Sequence, residues 1–96
     1  MTIAQPPIRI LLVDDDPDIL EFLAYGLKRE GYEVAVATDG YAAIESVKES
    51  CPDLVVLDLM MSGMDGITTY QHLTQLPVFS QLIVTFLTAK DEAEVQ

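Results

Sequence analysis

The chain has a single cysteine, Cys51, so no disulfide can close within it and no pair of thiols is available to a metal. At the end of a helical pattern, Cys51 reads as a small packing residue. Basic residues are scarce. Five Lys and Arg against sixteen Asp and Glu leave a formal charge of −11. That balance repels phosphate backbones and anionic lipid, so direct nucleic-acid or membrane binding by this chain is not expected. Long apolar runs are also missing: stretches such as Leu54 to Leu57 fall far short of the roughly 20 residues a membrane-spanning helix needs. Met1 to Pro7 lacks the positive charge and apolar segment of a secretory signal, and the expected location is the cytoplasm. There is no internal repeat, heptad run or low-complexity tract.

Half of the 96 residues are hydrophobic, enough for one modest core and therefore one domain, 8–96, after a Pro-containing tail, 1–7. Ile8 to Val13 is an apolar run broken only by Arg9 and stopped at Asp14, as suits a strand buried on both faces. Asp16-Pro17 is an N-cap with a first-turn proline, and Ile19, Leu20, Leu23 and Leu27 recur at helical spacing until Gly31. Glu33 to Ala37 reads as a strand, Asp39-Gly40 as a turn and Tyr41 to Ser50 as a helix closed by Pro52. Leu54 to Leu57 is an aliphatic strand ending at Asp58. A glycine-bearing loop, Leu59 to Gly66, leads to a helix over about Ile67 to Leu76. Leu82 to Leu87 makes a fourth strand ending at Thr88. Strands alternating with helices predict an α/β fold, an open parallel sheet with helices on both faces. Residues that follow parallel strands gather on one edge, where such folds bind ligands. Asp14, Asp15, Asp58 and Thr88 fall on that edge.

Three carboxylates brought together there repel by about 4 kcal/mol per close pair at an effective dielectric near 20, so the cluster calls for a counter-charge. Mg²⁺ suits it, being a hard cation that binds through one or two carboxylates and keeps its other positions for water and phosphate oxygens. Phosphoryl transfer to a carboxylate would use such a site, with Asp58 as nucleophile because it stands alone at the end of the most apolar strand. Thr88 could donate its hydroxyl to a phosphoryl oxygen.

Leu11-Leu12-Val13-Asp14-Asp15-Asp16-Pro17, then Asp58-Leu59-Met60-Met61-Ser62-Gly63-Met64-Asp65-Gly66, then Leu87-Thr88-Ala89 resemble, in order and separation, the three motifs of receiver domains of two-component response regulators. The resemblance covers Ile8 to Gln96. It implies Asp58 as phosphoacceptor, Asp15 as a direct Mg²⁺ ligand, Asp14 as a ligand through water, and the Met60 carbonyl as a further ligand. It also implies that Thr88 moves toward the acyl phosphate, and that the phosphoryl donor is a sensor histidine kinase or a phosphotransfer protein. Met60 and Lys90 occupy positions that tune the lifetime of the phosphoform, and their size and charge imply a slow loss. Such a domain is a switch that assists its own phosphorylation and dephosphorylation, not an enzyme. The implied strand order is 2-1-3-4. The fifth strand and fifth helix of the family fold are lacking, so the domain is read as incomplete at its C-terminus, and its fourth strand as an open edge through which two copies could pair. Ser62 stands where the family usually has proline and is expected to loosen the loop without removing a ligand.

Other readings of the same residues are weaker. Asp16 and Asp18 read as acids of a helix first turn, and Asp65-Gly66 as a turn and cap. An EF-hand starting at Asp14 would need glycine and glutamate where Ile19 and Tyr25 stand. His72 has no histidine partner for zinc. Met60, Met61 and Met64 read as loop packing. A Mg²⁺-dependent phosphatase of the haloacid dehalogenase type would need a cap domain and a downstream lysine that this length does not accommodate. The remaining alternative is a pseudo-receiver, an interaction module that is never phosphorylated.

Overall fold

The computed structural model describes residues 6–87. Ile10 to Val13 are all buried, which follows from β1 (Arg9–Val13) being paired on both of its edges. On one side lies β2 (Glu33–Ala37), in the register Leu11 opposite Ala35, and on the other β3 (Leu54–Asp58), with Leu11 opposite Val55. β4 (Ile83–Leu87) completes a parallel sheet of order β2-β1-β3-β4, as the motif resemblance implies. No fifth strand occurs among the described residues, and β4 is an edge there, with Ile83, Phe86 and Leu87 exposed.

Because side chains alternate along a strand, β1 feeds two cores at once. Leu11 and Val13 join Val55 and Leu57 under α2 (Gly40–Ser50) and α3 (Gly66–Leu73), where Ala43, Val47 and Leu73 are fully buried. Ile10 and Leu12 point the other way and pack on Leu20 and Ala24 of α1 (Pro17–Arg29). Helices therefore cover both faces, and the strand-to-helix junctions fall on one rim.

Each helix starts on an aspartate whose side chain accepts a free first-turn N–H: Asp16 from Asp18 and Ile19, Asp39 from Ala42, Asp65 from Thr68. These caps fix where the chain turns back from the rim. α2 ends on Cys51, which adopts the left-handed conformation (φ 45°) and returns its N–H to Val47 before Pro52 forbids further helix. One boundary differs from the sequence pattern. The helix expected to reach Leu76 stops at Leu73, and Pro77 opens a short 3-10 turn, Pro77–Gln81. Proline's ring excludes the helical conformation from the residue before it, and Leu76 is accordingly extended. The turn seats Phe79 against Tyr70, which also meets Phe86 edge-on at 5.3 Å between ring centres.

Candidate functional site

The rim where β1 and β3 end carries the three acids. Val13 is opposite Leu57 in the sheet, so the next residues, Asp14 and Asp58, leave their strands side by side. Asp14 is still held by the sheet through its N–H to the Ala37 carbonyl, and both it and Asp58 are buried, at 6% and 4% exposure. Each is braced by the chain that follows it: Asp14 Oδ1 accepts the Asp16 N–H at 2.9 Å, and Asp58 Oδ1 the Met60 N–H at 3.1 Å. Asp15 lies outside the sheet and is exposed. Its Oδ2 accepts the N–H of Ser62, 47 residues further along, at 2.9 Å. The three side chains thereby offer one oxygen each within 4.8 Å of one another.

The electrostatics follow from this geometry. Burial pushes the Asp14 carboxyl above its ordinary value of 3.8; the Asp16 N–H opposes this, and the charges of Asp58, Asp15 and Asp16 add to it. Asp15 moves the opposite way, held below the usual value by the Ser62 N–H and, secondarily, by the Ser62 side chain. Asp65, bonded by the Thr68 N–H, is lowered as well. For Asp14 the folded state disfavours the charged form, so its penalty is absent in acid and grows as pH rises through its folded value. For Asp15 and Asp65 the favourable contribution is present above the ordinary carboxylate range and is lost as pH falls through their depressed values. Asp14→Asn keeps the Oδ1 acceptor and removes the charge. Without divalent cation it is expected to raise the melting midpoint at neutral pH, because the buried charge and its repulsion by Asp58 and Asp15 are removed. The gain should vanish in acid, where the wild-type carboxyl is protonated; thermal melts across pH check it.

The donor set fits a hard cation. It is all oxygen, two of its carboxylates are shielded from water, and their mutual repulsion is what a divalent ion offsets. An open depression beside it is lined by Asp15, Leu59, Met60, Met61, Ser62 and Asp65. Met60 lies there with its side chain exposed, while Met61 is buried, so only part of the methionine cluster is loop packing. Asp16 caps α1, and the acids gathered with Asp14 come from two strand ends, not from a single calcium loop. His72 is exposed on α3. Thr88 and Lys90 lie outside the described residues.

Two features of the site were not read from the sequence. Ser62 does not loosen its loop: the N–H that proline would lack ties the β3–α3 loop to Asp15. Gly66, the first residue of α3, lies directly on the peptide that carries Asp58. A Cβ there would collide with the Asp58 carbonyl oxygen and stand 2.7 Å from Leu59 Cα. A glycine ending a loop was the one available signal for the second feature; nothing local signalled the first.

Comparison with known proteins agrees with this architecture. The family model of the response regulator receiver domain matches residues 10–96. The alkaline phosphatase synthesis transcriptional regulatory protein PhoP of Bacillus subtilis is 42% identical over 84 residues, which is 88% of this chain and 34% of that protein. The chain thus spans about a third of the length of that curated relative. Among solved structures, the N-terminal domain of a response regulator receiver protein from Methanoculleus marisnigri is similar at a TM-score of 0.81 and 39% identity, covering 85% of this chain and 67% of that one. Response regulator protein TrrA of Thermotoga maritima, crystallised with Mg²⁺-BeF, matches at 0.79 and 32%, over 93% of this chain and 76% of its own. Strand order, the acidic rim and the match along nearly the whole sequence converge on one assignment: the chain belongs to the response regulator receiver domain family.

Proposed function

We propose that this domain accepts a phosphoryl group on Asp58 from a phosphohistidine of a sensor histidine kinase or phosphotransfer protein, with Mg²⁺ held by Asp14, Asp15, Asp58 and the Met60 carbonyl. The observation that carries this reading is the convergence of three carboxylates from two strand ends on one point. The Mg²⁺-BeF complex of the relative TrrA supports the choice of ion. Bound Mg²⁺ supplies positive charge to the phosphoryl oxygens, which the acidic rim by itself does not.

The chain's own residues do the rest. Asp58 is fixed as the last residue of β3; Oδ1 is engaged by the Met60 N–H, and Oδ2, which accepts no hydrogen bond among the described residues, is the oxygen that attacks phosphorus. The new P–O bond forms as the P–N bond to the donor imidazole breaks, and the imidazole nitrogen keeps the electron pair. Asp14 and Asp15 hold the ion and leave the nucleophile its in-line approach. Thr88, one residue past β4, is assigned the hydroxyl contact to the transferred phosphoryl. No helix among the described residues is long and apolar enough to cross a membrane, and we place the domain in the cytoplasm. With its charge of −11, contact with DNA would belong to other parts of a longer protein.

The test is incubation with Mg²⁺ and a small phosphodonor such as acetyl phosphate. One hydroxylamine-labile phosphoryl group per chain, absent when EDTA is added, is the expected result. No labelling together with no Mg²⁺ affinity would instead make the domain an unphosphorylated interaction module, and multiple turnover of the donor would make it a phosphatase.

A further inference from the structure

The three acids of the site are not held in the same way. Asp14 and Asp58 each accept the N–H of the residue two positions on, from Asp16 and Met60. Those bonds are local and form with the turn itself. Asp15 has no such option, because the residue two positions on is Pro17, which carries no N–H. Asp15 is also exposed and sits beside two buried carboxylates that repel it. Left to itself, its side chain would turn away into water. What keeps it in the cluster comes from across the site: first the Ser62 N–H on Oδ2, with the Ser62 side chain as a lesser partner.

We propose that the backbone N–H of Ser62 is a positioning group for the cation site, tying Asp15 into the carboxylate cluster before the ion arrives. The inference rests on reading the cluster as a Mg²⁺ site. The bond joins the loop after β1 to the loop after β3, so the two loops that carry the acids are tied to each other. A proline at position 62 would have no N–H to give and would leave Asp15 without this partner.

Two substitutions isolate it. Ser62→Ala removes the hydroxyl and keeps the N–H; Ser62→Pro removes the N–H. Mg²⁺ affinity, measured by calorimetric titration of the metal-free protein, is expected to stay within about twofold of wild type in the alanine variant and to weaken about three- to tenfold in the proline variant, the net worth of a typical hydrogen bond at an exposed acceptor. A readout that needs no folded proline variant is the Ser62 amide proton in metal-free wild type. It should resonate downfield and move upfield in Asp15→Ala, which has no side-chain acceptor. Equal affinities in the proline and alanine variants, tighter binding by the proline variant, or a Ser62 amide indifferent to Asp15→Ala would each overturn the tether while leaving the Mg²⁺ site intact. Failure of wild type to bind Mg²⁺ would overturn the reading of the site itself, and the tether's role toward the ion with it.

Discussion

Asp58→Asn is expected to abolish labelling by a phosphodonor in the presence of Mg²⁺, reducing it to the level seen with EDTA. Asparagine matches aspartate in shape, and its Oδ1 can still accept the Met60 N–H, so the end of β3 keeps its conformation. What is lost is the second carboxylate oxygen: an amide nitrogen is no nucleophile toward phosphorus, and no acyl phosphate can form. One of the three clustered carboxylate charges goes as well, so Mg²⁺ affinity is expected to fall alongside. The metal-free protein, by contrast, is expected to be no less stable than wild type, because the substitution relieves crowding among like charges. Loss of label with retained melting behaviour therefore separates a chemical role from a structural one. Labelling of the variant to the wild-type extent would show that another residue takes the phosphoryl group.

Gly66→Ala is expected to cost about 2–3 kcal/mol of stability in urea unfolding and to weaken Mg²⁺ binding as well. The added Cβ meets backbone, the Asp58 carbonyl oxygen and Leu59 Cα, and backbone at a strand end cannot rotate aside. Relief requires α3 to lift from β3, and the peptide being pushed is the one that carries Asp58. Two other glycines serve as comparisons. At Gly40 the obstacles are the Thr69 hydroxyl and, at 2.6 Å, Met64 Sδ, and a methionine side chain can swing away, so Gly40→Ala should leave the acids undisturbed even where it costs stability. At Gly26, within α1, nothing lies within 4 Å. Gly26→Ala should stabilise the helix, by up to about 1 kcal/mol. If Gly66→Ala behaved like Gly26→Ala, the close approach of α3 to the Asp58 peptide would play no part in positioning the site.

Much of this molecule was legible in local pattern. The run from Ile8 to Val13 suits an interior strand, and the aspartates at 16 and 65 mark helix starts because a carboxylate two or three residues ahead of free N–H groups satisfies them wherever it occurs; Asp39, read as part of a turn, caps α2 in the same way. Parallel strands then place Asp14 and Asp58 on one rim, so the acidic cluster itself was predictable. The end of α3 was not, because the apolar spacing runs on to Leu76 and the stop depends on how Pro77 constrains the residue before it.

By itself, then, the order of residues determined the strand and helix pattern, the side of the sheet on which the acids meet, and Asp58 as the acid that stands alone. Tertiary structure alone decided that Asp14 is buried while its neighbour Asp15 is exposed, that Ser62 reaches back to hold Asp15, and that Gly66 has no room for a side chain. The division has a physical cause. Periodicity and capping act over a few residues along the chain, and sequence displays them directly. A hydrogen bond or a steric contact between distant segments exists only once the sheet has set the distance between its loops.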